Sequence, residues 1–401
     1  MENHLGKEDT ITQADRYMFR TYSRFPITLV RGEGCRVWDE DGNQYLDFVG
    51  GIAVCALGHS SPVVASAIYA QAKKLVHVSN LYYTRPQVEL ARFLVENSFA
   101  DRAFFCNSGA EANEAAIKLA RRWANDKFGS RRNTIISMVG SFHGRTMATL
   151  SATGQKKIQK GYDPLLGGFS FVPFNDFSAL VQAIDESVCA VLLEPIQGEG
   201  GVVCPDPDYL KNVRQLCDER DILLIFDEVQ VGMGRTGKLF AYEHYGIRPD
   251  IMTLAKALGN GLPIGTMLAT EDLSGAFGPG SHATTFGGTP LITAVSLQVI
   301  KSLVEDGWIE HCRNVGAYFK ERLEDLSQQY DFIIDVRGLG LILGMELQVP
   351  GGPFVDACLK KGFLINCAQE NVLRFLPPLI VGKEEIDRLI DTLDEIFKDK
   401  P

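Results

Sequence analysis

The chain has 401 residues, 45% hydrophobic and 22% charged, an ordinary globular balance with length enough for about two domains. Its formal net charge of -10 argues against nucleic acid or an anionic membrane as the main partner. Nine scattered cysteines with no CxxC pair fit reduced thiols in a cytoplasmic enzyme better than disulfides or a zinc site, and no metal site is read. The polar N-terminus lacks an apolar leader, and no window approaches the ~18 apolar residues of a membrane span.

In chain order, residues 1–30 read as a loose start followed by a helical or extended arm. Alternating segments on either side of the turn DEDGN, residues 39–43, predict an antiparallel hairpin. Helices are expected over residues 63–75 and 87–98. From residue 103 strands and helices alternate: strands at 103–106, 134–139, 169–174, 189–195, 221–226 and 251–255, with helices at 110–124 and 209–220. That alternation means a mainly parallel sheet with right-handed crossovers. After Pro290 the pattern changes to long helices at 290–305 and 308–329. FIIDVRGLGLILGMEL follows as two strands broken at Arg337-Gly338, then a helix at 353–361, a strand near Leu373 and a helix at 384–398. This C-terminal part reads as α+β, with the N-terminal hairpin packed on it.

Several stretches carry chemistry. In CNSGAEANEAA, Ser108 and Glu111 are spaced as a capping box, and the strand–glycine–helix context also makes a cradle for a phosphate. In SFHGRT, Phe142 could stack on a flat ring and Arg145 could fork onto a carboxylate, although taken alone the segment favours a core phenylalanine and a surface arginine. EPIQGEGG offers close backbone approach and an acid, Glu199, for an arginine. HATTFGG offers the hydroxyls of Thr284 and Thr285, or simply a turn. Arg374, inside the apolar VLRFL, needs an anionic partner. GMGRTGK at 232–238 imitates a P-loop, but Leu239 stands where a magnesium-binding Ser or Thr belongs, so nucleotide binding is set aside.

The chain is organised around residues 223–265, where LLIFD and IMTLAK are short apolar runs ending in Asp227 and Lys256. Open α/β sheets bind ligands at such strand ends. An amine and a carboxylate there suit pyridoxal phosphate: the lysine takes its aldehyde, and the acid keeps its ring nitrogen protonated.

Together, RGEGCRVWDEDG, NSGAEANEAAIKLAR, FHGRT, EPIQGEGGV, LIFDEVQVGMGRTG, LAKALGNGLPIG, HATTFGG and VLRFLPPLIV resemble, in family order, the class III aminotransferases of the type I pyridoxal-phosphate fold. The likeness covers essentially the whole chain. It implies an α/β fold with a large domain, residues 63–290, built on a mainly parallel seven-stranded sheet. A smaller α+β domain would combine residues 1–62 and 291–401. The resemblance gives Lys256 to the cofactor aldehyde and Asp227 to the ring nitrogen. Glu228 and Val229 would be cofactor-binding, Gln230 would bond the ring hydroxyl, and Phe142 would stack on the ring. Ser108, Gly109 and Ala110 would hold the phosphate with Thr285 of a partner subunit, which implies a homodimer with shared sites. Arg145 and Thr284 would touch substrate. Arg374 would take the carboxylate common to both substrates, and Glu199 would be a gate that pairs with it.

Within the class, GIAVCALGH and HATTFGG imply an acylated ornithine as amino donor and 2-oxoglutarate, becoming glutamate, as acceptor. Ornithine, succinylornithine, succinyldiaminopimelate and 4-aminobutyrate are the alternative donors. Ornithine δ-aminotransferases tend to place an aromatic near Ile52. Three positions depart from the pattern: Cys55 and Thr289 stand where relatives often carry Asn, and Asn260 interrupts a usual glycine run.

Overall fold

A computed structural model describes residues 7–399, so residues 1–6 of the expected loose start lie outside the described residues. The arm begins with a helix, Lys7–Tyr17. The largest sheet has seven strands. Their order across the sheet is Arg102–Cys106, Gly265–Ala269, Ile251–Leu254, Leu223–Asp227, Val188–Leu193, Thr134–Met138 and Phe169–Val172. Only Gly265–Ala269 runs against its neighbours. The strands Val188–Leu193, Leu223–Asp227 and Ile251–Leu254 are buried along their whole length. Continuous apolar runs do this when a parallel sheet is covered on both faces.

Six of these seven strands are the ones expected from the sequence. The seventh, GTMLA, was missed, because it is five residues long and follows Gly- and Pro-rich loop sequence that reads as punctuation. The helix Gly109–Phe128 crosses behind the sheet and buries Ala112, Ala115, Ala116, Ala120 and Ala124. Those small side chains let its axis lie close to the strands.

A four-stranded antiparallel sheet follows in the C-terminal part, in the order Ile333–Leu339, Ile342–Leu347, Val372–Phe375, Asn366–Ala368. The expected break at Arg337-Gly338 is not there. Both residues lie within the strand Ile333–Leu339, and the chain reverses at Gly340, whose φ is +56°. Arg337 is held in place by the Gly201 carbonyl, at 2.8 and 3.0 Å. The N-terminal hairpin, Arg36–Asp39 and Gln44–Asp47, forms as expected, and Phe363–Leu364 adds to it in parallel. N- and C-terminal segments therefore share one sheet. The helix Pro290–Glu305 packs on Pro62–Ala72 and Arg85–Glu96.

One close approach fixes the C-terminal helix Trp308–Ser327 against the turn at Gly340. A Cβ on Gly316 would lie 2.3 Å from the Gly340 carbonyl oxygen, so backbone would have to move. Gly316→Ala should lower stability by about 1–3 kcal/mol despite alanine's better helix propensity, measured as a fall in the denaturant midpoint.

Candidate active site

Asp227 ends one strand, Lys256 lies two residues past the end of its parallel neighbour, and both line one cavity of about 480 Å³. Ile251–Leu254 stops at Ala255, and Lys256 opens a short 3₁₀ turn with φ of +46°. A positive φ at a residue with a long side chain is strained, and such strain collects at functional sites. Burial brings the lysine amine down to about 8; Glu199 opposes that shift and Arg374 adds to it. An amine near 8 is partly neutral at neutral pH and so available as a nucleophile.

Asp227 is buried, and each of its oxygens is occupied. Oδ2 accepts from Asn113 Nδ2 at 2.7 Å and lies 2.8 Å from His143 Nδ1, while Oδ1 accepts from the Val229 N–H at 3.0 Å. Asn113 is aligned in turn by the Thr253 hydroxyl, which donates to its Oδ1 at 2.7 Å. Asn113 and His143 were not singled out from the sequence, although both stand in quoted motifs. Their signal was there: a buried acid needs donors, and Asn113 lies in the first turns of the helix that follows one strand while His143 lies in the loop that follows another.

Ser108, Gly109 and Ala110 also line the cavity, at the start of the helix Gly109–Phe128. The first N–H groups of a helix lack intrahelical partners and favour an anion. The Ser108 hydroxyl caps the Glu111 N–H at 3.1 Å. The box is only half formed, since Glu111 turns its carboxylate to the Asn107 N–H and side chain, both at 2.8 Å. Glycine is required at 109, where a Cβ would meet Val229 Cγ1 at 2.7 Å. Phe142 and Val229 lie on the cavity wall, with Arg145 over the Phe142 ring at 5.7 Å.

Arg374 finds its anion in Glu199, at 2.7 Å, with Asn366 Oδ1 at 3.2 Å and Gln230 Oε1 at 3.3 Å. Burial would raise the Glu199 carboxyl, but Arg374 outweighs it and holds it below the ordinary range. Gln230 joins this pair to the cavity, donating to Glu199 at 3.2 Å.

Three expected residues lie elsewhere in the single chain. Glu228 is buried and pushed up to about 8 by burial, and its carboxylate accepts from the Ala241 and Tyr242 N–H groups at 2.6 and 2.7 Å, away from the cavity. Thr284 Oγ1 accepts from Asn107 Nδ2 and from the Gly287 N–H, each at 3.2 Å. Thr285 is exposed and sits beside His77, Asn80 and Tyr82 rather than in the cavity. The P-loop imitation is a series of turns leading to the 3₁₀ turn Ala241–His244, and Lys238 donates to the Glu243 carbonyl at 2.9 Å.

The sequence profile of the family described as Aminotransferase class-III matches residues 17–397. The chain belongs to the class III aminotransferases. It is 53% identical over 390 residues to an acetylornithine aminotransferase of Caldanaerobacter subterraneus subsp. tengcongensis, covering 97% of this chain and 99% of that one. It is also 53% identical over 396 residues to an acetylornithine aminotransferase of Methanocaldococcus jannaschii, covering 98% and 99%. Among solved structures, ornithine aminotransferase from Toxoplasma gondii superposes with a TM-score of 0.95 at 32% identity, covering 98% of this chain and 96% of that one. N-acetylornithine aminotransferase from Stenotrophomonas maltophilia superposes with 0.84 at 38%, covering 97% and 98%. Another structure of the Toxoplasma gondii enzyme has partial occupancy of PLP at its active site. This class III aminotransferase depends on pyridoxal phosphate.

The residues present fit that cofactor. A lysine amine with a lowered pKa, a buried acid fixed by three donors, a helix N-terminus and an aromatic ring converge on one space. His143 and Glu194 both line the cavity, and His143 Nε2 and Glu194 Oε2 are buried with no hydrogen-bond partner among the described residues. Among the described residues no helix is long and apolar enough to cross a membrane.

The depressed lysine has a consequence for stability. Its folded pKa, about 8, lies below the ordinary lysine value of 10.5, so the unfolded chain holds more protons between those limits. The penalty is complete below pH 8 and relieved as pH rises to 10.5. Lys256→Met should therefore raise the melting temperature of cofactor-free protein at pH 7. Melting curves across that alkaline window should show the advantage fading.

Proposed function

We propose that this enzyme moves the terminal amino group of N2-acetyl-L-ornithine to 2-oxoglutarate. The products are N-acetyl-L-glutamate 5-semialdehyde and L-glutamate, in arginine biosynthesis. The observation that carries the reading is the closed Arg374–Glu199 pair beside the cavity of Lys256 and Asp227. An anion-binding arginine with a displaceable internal partner suits two substrates that both carry a carboxylate. The two relatives at 53% identity, both acetylornithine aminotransferases, support the donor.

Pyridoxal phosphate supplies an aldehyde that condenses with amines and a ring that accepts the electron pair left when a proton departs. Lys256 would take the aldehyde in the resting enzyme and, once displaced, carry the proton from the amine-bearing carbon as base and then acid. Asp227 would accept the ring N–H and keep that nitrogen protonated. Phe142 and Val229 would enclose the ring, with Gln230 near its hydroxyl, and Ser108, Gly109 and Ala110 would receive the phosphate.

Arg374 would bind the substrate carboxylate once Glu199 swings aside. Removing one member of a buried pair is costly unless another anion replaces it, so only a substrate with a carboxylate at that distance opens the gate. Arg145 would contact the far end of the donor.

Thr285 and Thr284 would act in the neighbouring copy of a cytoplasmic homodimer. Apolar exposure on this face supports that arrangement: Tyr83 is 100% exposed, Leu81 81% and Phe286 62%. A monomer rarely leaves so many large apolar groups in water together. The division into a large domain, 63–290, and a small domain from 1–62 and 291–401 belongs to the same proposal.

Ornithine is the second candidate donor, given the likeness to Toxoplasma gondii ornithine aminotransferase. Ile52, 41% exposed, offers no aromatic ring at the position where that activity tends to have one. A panel of acetylornithine, succinylornithine, succinyldiaminopimelate, ornithine and 4-aminobutyrate should rank acetylornithine first, with kcat/KM about tenfold or more above free ornithine. Preference for ornithine would reject the assignment. Lys256→Ala should still bind the cofactor but lose its lysine-dependent visible absorbance. Its turnover should drop by about 10²–10⁴-fold or more, measured with acetylornithine.

A further inference from the structure

EPIQGEGG brings two acids to this site, and only Glu199 has a stated role. Glu194 directly follows the buried strand Val188–Leu193, is 5% exposed and lies on the cavity wall. Its Oε2 is buried without a hydrogen-bond partner among the described residues. An ionised carboxylate with a dry, unpaired oxygen is strongly disfavoured. The charged groups around it are Asp227 on the adjacent strand, Glu199 on its own loop and Lys256 on the turn beyond. Burial first, then Asp227 and Glu199, raise the Glu194 carboxyl well above its ordinary value; Lys256 and a backbone contact at Phe142 oppose them. Glu199, five residues on, is held ionised by Arg374. Environments that push two carboxyls of one loop apart assign them opposite states.

A protonated carboxyl is a donor that needs an acceptor. The carboxylate of Asp227 already receives Asn113, His143 and the Val229 N–H. Gln230 has its carbonyl on Arg374 and one amide hydrogen on Glu199. The acceptor must then come from what fills the cavity.

We propose that Glu194 is a further cofactor-contacting residue, a neutral carboxylic acid that donates a hydrogen bond to the oxygen substituent on the ring of the bound cofactor. It rests on the reading of this cavity as the cofactor site. Infrared difference spectra of wild-type holoenzyme against Glu194→Gln at neutral pH should contain a protonated-acid carbonyl band that the variant lacks. Equilibrium cofactor binding should weaken about tenfold in Glu194→Met, and less in Glu194→Gln, which keeps a donor of the same reach. The pH midpoint of the cofactor's visible absorbance should move in the Met variant. Absence of the acid band overturns the inference, as does a Met variant that holds cofactor as tightly as wild type, or an effect confined to substrate KM. The Gln variant, equal in size, carries the band assignment even if the Met variant folds poorly. If Lys256→Ala kept wild-type visible absorbance, the cofactor reading would fall and this inference with it, whatever the acid band showed.

Discussion

A buried carboxylate that cannot move is the constraint on which this site depends. Asp227 is 3% exposed, yet its charge is met by donors from three separate places: Asn113 from a helix, His143 from a strand-end loop and the Val229 N–H from the turn after its own strand. Each donor offsets part of the cost of taking the charge out of water. Because they come from different elements, the acid is fixed only when the sheet, the helix Gly109–Phe128 and the 141–146 loop are all in place. Asn113 is itself locked by Thr253, one strand over.

The electrostatics follow from that anchor. Three carboxyls, Glu194, Glu199 and Asp227, and two cations, Lys256 and Arg374, influence one another across a small volume. Direct contact decides which of the acids stays charged. Glu199 has an arginine at 2.7 Å; Glu194 has burial and two like charges instead. Lys256 is short of a close counter-ion, which is why burial dominates its shift. The result is a weakened amine at Lys256 and an acid, Glu199, that Arg374 keeps ionised, a distribution suited to handling a proton near neutral pH.

Much of this was legible in the sequence, for physical reasons that can be named. The strand ends at Asp227 and Lys256 were visible because an ionisable residue ending an apolar run has few places to go. Arg374 demanded an anion for the same reason and has one. What stayed hidden was of two kinds. Short segments such as GTMLA carry too few residues to show a period. Pairings such as His143 with Asp227, 84 positions apart, depend on how strands are ordered, and no local pattern encodes that. Thr284 and Thr285 were identified by resemblance, and neither reaches the cavity within one chain.

Asn260 shows how a departure from the family pattern can be structural. It interrupts a glycine run and has φ of +44°, in the left-handed region that asparagine tolerates better than most residues. Its amide does what glycine could not. Oδ1 accepts from the Leu57 N–H at 2.7 Å, and Nδ2 donates to the Gly58 carbonyl at 3.2 Å. The strained turn that begins at Lys256 is thereby tied to the N-terminal segment. That segment is held from its other end by Asp47, which accepts from the Val49 and Gly50 N–H groups and pairs with His59 at 2.7 Å. Through its hydrogen bond to Asp47, His59 is pushed up to about 10, so the imidazole stays charged through neutral pH. Val54, between these two clamps, lines the cavity. The N-terminal segment is thus part of the wall that faces Lys256, and the strain at the lysine persists because elements far apart in sequence hold the turn from outside.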